Sequence, residues 1–121
     1  MTEALFSAAS LAMLDEACSG VLILGEGLER DEFLSSRLTR AEVGRLLLVI
    51  ARLMNGLPAE ASRRLPEIDW AGWSLLTRTL PDQGPASDDT LWFALTSLVP
   101  ATLMWLRLYR QREPALFAFA G

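Results

Sequence analysis

Arg78 and Asp82 lie four residues apart and carry side chains that could contact an anion and take up a proton. An arginine can contact a phosphate, and an aspartate can act as a base if burial raises its pKa. The chain contains no histidine, and an aspartate with an ordinary pKa of about 3.9 is ionised at neutral pH and holds no proton to give. The plainer interpretation, which we favour, is that Arg78 is a solvated helix residue and Asp82 is the polar tip of a turn.

The other reactive side chains also fit structural roles better than catalytic ones. Cys18 is the only cysteine, which excludes an intramolecular disulfide, and it falls in an apolar stretch where a buried, inert thiol is expected. Asp88 and Asp89 are adjacent, so on a helix they point in different directions and are expected to be capping charges instead of metal ligands. We therefore predict no standard catalytic group, no metal site and no cofactor.

One turn in the middle of the chain carries a distinctive pattern. The segment Arg63-Arg64-Leu65-Pro66-Glu67-Ile68-Asp69-Trp70 follows a predicted short helix, and Leu91-Trp92 and Pro100 come after it. Together with the order and spacing of its neighbours, this pattern resembles the HepT-type toxins over residues 10–110. These toxins are helical ribonucleases of the HEPN superfamily, encoded beside a small nucleotidyltransferase antitoxin. The other similar segments are an acidic one at residues 31–34, a helix at 39–56 and a short helix beginning Leu57-Pro58-Ala59-Glu60.

The residues responsible for this family's activity do not carry over. The family cleaves RNA with an Arg-x4-His-x-Tyr motif between the turn and the last helix. Counted along this chain, the family arginine falls at Thr77, with Arg78 one position later. The family histidine falls near Asp82 and the tyrosine near Gly84. The resemblance therefore implies a member without ribonuclease activity, which also lacks the tyrosine that the partner antitoxin modifies with nucleotide.

From these residues we expect a protein that acts by binding other proteins and is not an enzyme. The resemblance implies a regulatory or scaffold partner of a nucleotidyltransferase in a toxin-antitoxin or defence locus. Two alternatives stay open. The first is an active RNA-cleaving toxin with a non-standard site around Arg78. The second is an unrelated helical immunity or interaction protein that binds its partner through the acidic half of the chain.

Composition, charge and hydropathy limit the class of protein and the kinds of partner that this sequence allows. Residues 1–121 have the length of one domain, and 51% of them are hydrophobic, which excludes a disordered chain. The net charge of −4 arises in residues 1–60, which hold nine acids and five arginines, and it argues against nucleic-acid binding. Residues 90–106 carry no charge but are shorter than the roughly 20 residues of a membrane-spanning helix. We therefore expect a cytoplasmic protein with no membrane segment.

Hydrophobic periodicity and capping residues predict the helices that position these side chains. The expected fold is an all-α, up-and-down antiparallel bundle of four to five helices, which the resemblance makes HEPN-like. The last helix should be kinked at Pro100, because proline removes a backbone hydrogen bond. The predicted segments are helices at residues 3–24, 39–56, 58–64, 70–76 and 88–112, a short turn at 31–34, a capping box at residues 39–42 and a loop at 81–87.

The helix at 39–56 is apolar on two sides, and the last helix carries more large apolar groups than one small domain buries easily. We therefore expect a homodimer. The residues predicted to form its interface are Trp92, Phe93, Trp105, Leu48 and Val49.

Overall fold

Helices account for most of the residues that the structure, a computed structural model, describes, which are 5–80 and 85–117. The predicted all-α helical bundle is confirmed, and the described ranges contain no strand. They contain seven α-helical segments, where four to five were expected, because the short turn is itself a helix and the last helix is divided. The segments are α1 Ala8–Gly25, α2 Arg30–Ser35, α3 Arg37–Asn55, α4 Glu60–Arg64, α5 Trp70–Thr79, α6 Pro85–Phe93 and α7 Val99–Arg112.

Helix α3 lies at the centre of the packing, because it contacts both α1 and α5. Its core-facing side chains recur every three or four residues, and Val43, Leu47 and Ile50 are completely buried. Helix α1 also packs against α7. One hydrophobic core therefore connects the first helix, the central helix and the last helix of the described chain.

The predicted starts of α1, α3, α4 and α6 are wrong, and α4 begins at Glu60 instead of residue 58. Helix α1 begins at Ala8, because Ser7 is extended and its side-chain oxygen accepts a hydrogen bond of 3.0 Å from the Ser10 amide. Helix α3 begins at Arg37, with Ser36 as its N-cap, so the expected capping box at Thr39 lies inside the helix. Ser36 is the single extended residue between α2 and α3, so the backbone is already helical at Thr39 and no separate cap forms there.

Two other helix ends agree with the prediction. Helix α1 ends at Gly25, and Gly27 adopts a φ of 76°, the left-handed conformation that glycine allows after a helix. Asp69 caps α5, and its Oδ1 accepts a hydrogen bond of 2.8 Å from the Gly72 amide.

The last helix changes its winding before Pro100. Helix α6 begins at Pro85, three residues earlier than predicted, and a π-helical segment, Ala94–Leu98, separates it from α7. The Val99 amide donates to the Ala94 carbonyl, five residues back. Pro100 lies in the first turn of α7, where a missing amide proton is tolerated. The kink at Pro100 stays a prediction.

A contact that the helical pattern did not indicate joins the two ends of the described chain. The Leu5 amide donates to the Leu116 carbonyl at 2.7 Å, and Phe6 forms an isolated parallel β-bridge with Phe117. The two phenyl rings stack with centroids 4.9 Å apart and planes 7° from parallel. Both rings are buried, so the segment before α1 and the segment after α7 complete the core together.

Gly44 in the middle of α3 offers a stabilising substitution. A Cβ atom there would meet only Leu91 Cδ2, at an ordinary distance of 3.9 Å. Gly44→Ala should raise the free energy of unfolding by about 0.5–1 kcal/mol, because alanine loses less backbone entropy in a helix. Urea denaturation measures this gain. Gly25→Ala is the contrasting variant, since its Cβ would lie 2.4 Å from Leu95 Cδ1 and should destabilise the protein. Equal effects of the two variants would contradict this account.

Candidate functional site

The residues aligned with the ribonuclease motif are only partly described. Thr77 is half-buried, and its hydroxyl donates to the Ser74 carbonyl at 2.7 Å within α5. Arg78, in the last turn of α5, is exposed and forms no ion pair within residues 5–80 and 85–117. Asp82 and Gly84 lie outside the described residues. The described part of the chain therefore places Thr77 and Arg78 on one helix end without a neighbouring group that completes a catalytic set.

The turn that carries the HepT resemblance is built into the bundle by its side chains. Ile68 is buried, and the Trp70 indole donates to the Leu65 carbonyl at 2.9 Å. Glu67 accepts a hydrogen bond from the Tyr109 hydroxyl, which attaches the turn to α7. That hydrogen bond, with desolvation, raises the pKa of Tyr109 to about 12. The phenol therefore stays protonated at neutral pH and serves as a hydrogen-bond donor.

The side chain of Trp73 is part of the hydrophobic core. Its side chain is completely buried, and its indole Nε1 donates to the Thr102 hydroxyl at 3.0 Å. Thr102 is one of the two buried polar residues of the described chain, and this hydrogen bond satisfies it. The contact joins α5 to α7 and contributes a partner for a polar group inside an apolar core.

The five predicted interface residues face different parts of the surface. Trp92 packs against Phe33, with ring centroids 6.0 Å apart, and lines a cleft of about 430 Å³ beside the end of α1. Phe93 and Trp105 line a second cleft, of about 220 Å³, next to the turn at Glu67. The half-buried side chains of Leu48 and Val49 lie on α3. The proposed interface stays a prediction, and Phe93, at 45% exposure, is its most accessible member.

The outer side of the last helix presents a long uncharged surface, which we call the α6–α7 face. Its exposed members are Phe93, Thr96, Ser97, Ala101 and Met104. Exposed charges bound it at both ends, with Asp89 before it and Arg107 after it. Asp89 pairs with Arg30 at 2.5 Å, and Arg107 pairs with Asp15 at 3.4 Å.

A further cleft, of about 840 Å³, lies where α3 and α6 begin. We call it the arginine cleft. Arg40 pairs with Asp88 across it, and Arg45 pairs with Glu42 along α3, which lowers the pKa of Glu42. The residues that line it are Leu34, Ser35, Arg37, Arg40, Ala41, Gly44, Arg45, Leu48, Leu80, Ser87, Asp88 and Leu91. Sequence reasoning missed this cluster, because its members come from separate helices.

Cys18 is buried, as predicted. Burial raises the pKa of the Cys18 thiol to about 12, and the negative charge of Asp15 adds to the rise. Since a thiolate is the reactive form, this cysteine is not activated as a nucleophile. The described residues also contain no group of three or more histidine, cysteine, aspartate or glutamate side chains that could hold a metal ion.

Two helical stretches are long and apolar enough to cross a membrane, at residues 8–25 and 86–112. Each has a mean hydropathy of 1.4, and the shares of the two stretches buried inside the protein are 22% and 44%. Core helices of soluble proteins have the same length and composition, so this finding alone places neither helix in a membrane.

Comparison with protein-family models, curated proteins and solved structures finds no match for this chain.

Proposed function

We propose that this chain is a HepT-like helical protein without ribonuclease activity, which acts by binding protein and forms a homodimer. The observation that supports it best is the α6–α7 face. Phe93 and Met104 on this face are 45% and 53% exposed, although both are large apolar side chains. Two exposed large apolar side chains on one helix, with only small uncharged residues exposed between them, are compatible with a protein-protein contact.

A second copy of the chain is the partner that we propose for the α6–α7 face, because an uncharged surface can pack against its own copy. Asp89 lies at one end and Arg107 at the other, and both side chains are exposed. In a two-fold dimer the same surface is used twice, and an axis perpendicular to the last helix brings its two copies together antiparallel. Asp89 and Arg107 keep their ion pairs with Arg30 and Asp15 at the rim of this contact, and the uncharged residues between them pack together.

The HepT resemblance suggests the second partner. Proteins of that family bind a nucleotidyltransferase, and we propose that this chain acts as a regulatory or scaffold partner of such an enzyme. Its turn residues keep structural contacts, as Asp69 caps α5 and Trp70 bonds to the Leu65 carbonyl. The positions aligned with the catalytic histidine and tyrosine hold Asp82 and Gly84. A helical scaffold with such a motif supports a binding role better than a catalytic one.

Ala101→Glu tests the homodimer, because Ala101 is exposed in the middle of the α6–α7 face. The variant should weaken self-association at least about tenfold, since an unpaired buried carboxylate costs several kcal/mol. Sedimentation equilibrium measures the dissociation constant. Ala71→Glu, the same change at an exposed alanine of α5, is the matched control and should leave it unchanged. A wild-type protein that stays monomeric at every concentration, or equal effects of both variants, would contradict the dimer.

The second arm of the test measures ribonuclease activity. Purified wild-type protein should leave a labelled transcript intact, because the chain holds no histidine that could exchange a proton near neutral pH. Cleavage that disappears in Arg78→Ala would contradict the proposal and favour the alternative of an active toxin with a non-standard site.

A further inference from the structure

The arginine cleft has the groups that bind an anion. Three arginines of α3 line it, although the chain as a whole carries a net charge of −4. A guanidinium group presents several donors in one plane, and this geometry matches the oxygens of a phosphate or carboxylate. The cleft is therefore locally rich in positive charge, although the protein as a whole is acidic.

The nearby carboxylates neutralise only two of these arginines. Arg40 pairs with Asp88, and Arg45 pairs with Glu42. Arg37 is exposed and forms no ion pair with any residue in the described ranges. The cleft therefore keeps one excess positive charge, and Arg40 stands beside it with its remaining guanidinium donors.

Ser87 adds a neutral hydrogen-bonding group to the cleft. It is 4% exposed and lines the cleft, and its hydroxyl makes no hydrogen bond to the described part of the chain. The hydroxyl lies at the wall of the cleft, where it can donate a hydrogen bond to a bound anion. The beginning of α3 adds further donors, because its N-cap Ser36 makes no side-chain capping hydrogen bond to the first amides.

The remaining wall of the cleft is apolar. Four leucines line it, from α2, α3, α6 and the end of α5, and Ala41 and Gly44 leave space between them. Its volume of about 840 Å³ lies within the range of about 300–1,000 Å³ that is usual for small-molecule sites. A fully hydrated anion such as inorganic phosphate would leave this apolar wall without a partner. The lining residues are Leu34, Leu48, Leu80 and Leu91.

We propose that the arginine cleft binds a small amphiphilic anion, a phosphate monoester with an apolar body. Arg37, Arg40 and Ser87 hold the phosphoryl oxygens, and the leucines cover the apolar part. This site does not depend on the homodimer, because its lining residues differ from those of the α6–α7 face. The failure of one proposal would therefore leave the other in place.

Titration with octyl phosphate below its micellar concentration, followed by amide NMR shifts and calorimetry, tests the site. Wild-type protein should show saturable shifts at the lining residues. Arg37→Gln should weaken binding about tenfold, because it removes a charge-assisted hydrogen bond. Arg52→Gln is the matched control, an exposed arginine near the other end of α3, and should change the affinity less than about twofold. Equal effects of the two variants would overturn the proposal.

Three further arms separate the parts of the proposal. Ser87→Ala should lower the affinity for octyl phosphate about threefold, because one neutral hydrogen bond is lost. Gly44→Leu, which adds a side chain inside the cleft, should abolish the shifts while the circular dichroism spectrum stays helical. Inorganic phosphate and octanol should each bind much more weakly than octyl phosphate, and octanoate should bind less tightly if the phosphoryl group is the recognised head. Binding of octanol as tight as that of octyl phosphate would overturn the anion site.

Discussion

Replacing Trp73 by alanine should lower the free energy of unfolding by about 3–5 kcal/mol, the usual cost of removing a buried aromatic side chain. Trp73 is completely buried between α5 and the last helix, and its indole donates to Thr102 at 3.0 Å. The substitution removes the largest fully buried side chain of the core and also leaves the Thr102 hydroxyl without its donor. Urea denaturation followed by circular dichroism measures the loss.

Two further variants separate the packing of Trp73 from its hydrogen bond. Thr102→Val keeps the side-chain volume but removes the hydrogen-bond acceptor. The indole N–H of Trp73 is then buried without a partner, which should lower the free energy of unfolding by about 1–3 kcal/mol. Leu75→Ala is the control on the same helix, because Leu75 is half exposed, and it should change stability by no more than about 0.5 kcal/mol. A Trp73→Ala protein as stable as the Leu75→Ala protein would show that α5 is not anchored in this way.

Phe117→Ala should be almost as damaging, with an expected loss of about 3–5 kcal/mol. The ring of Phe117 stacks on Phe6 at 4.9 Å, and both rings are buried. Total stabilities of small domains are about 5–15 kcal/mol, so the variant should unfold at a much lower urea concentration than the wild type. Chemical denaturation measures this shift in midpoint.

A double-mutant cycle identifies the contact between the two rings. Phe6→Ala and Phe117→Ala should be strongly non-additive, because the first substitution already removes the stacking partner of the second. Phe93→Ala serves as the control, since Phe93 is 45% exposed and its loss should cost much less. Additive losses in the Phe6 and Phe117 pair would contradict the proposed closure of the core.

The local pattern of the sequence was sufficient to predict the helices but not to predict where several of them begin and end. The apolar repeat through Val43, Leu47 and Ile50 predicts α3 and its central position, because burial of one face has a local signature. The Thr39 capping box fails, since the start of α3 is decided by the end of the preceding helix at Ser36. The π-helical segment at Ala94–Leu98 has no signature in periodicity, which assumes one constant winding.

The clefts were harder to predict than the helices, because they are made of residues far apart in the chain. Arg37 and Ser87 line the same cleft only after α3 and α6 have packed. The sequence directed attention to Arg78 and Asp82 through the HepT resemblance, and the first of these lies on an exposed helix end. Trp70 and Asp69 of the resembling turn hold the backbone in place, so this pattern reports on architecture more than on activity.

The contact between Phe6 and Phe117 also affects how the protein can fold during translation. The two residues lie at opposite ends of the described chain, so all of the helices are synthesised before the partner of Phe6 leaves the ribosome. Until then the nascent chain exposes an aromatic group that the finished bundle covers, a state that favours chaperone capture or aggregation. The C-terminal segment can therefore dock on Phe6 only after elongation past residue 117.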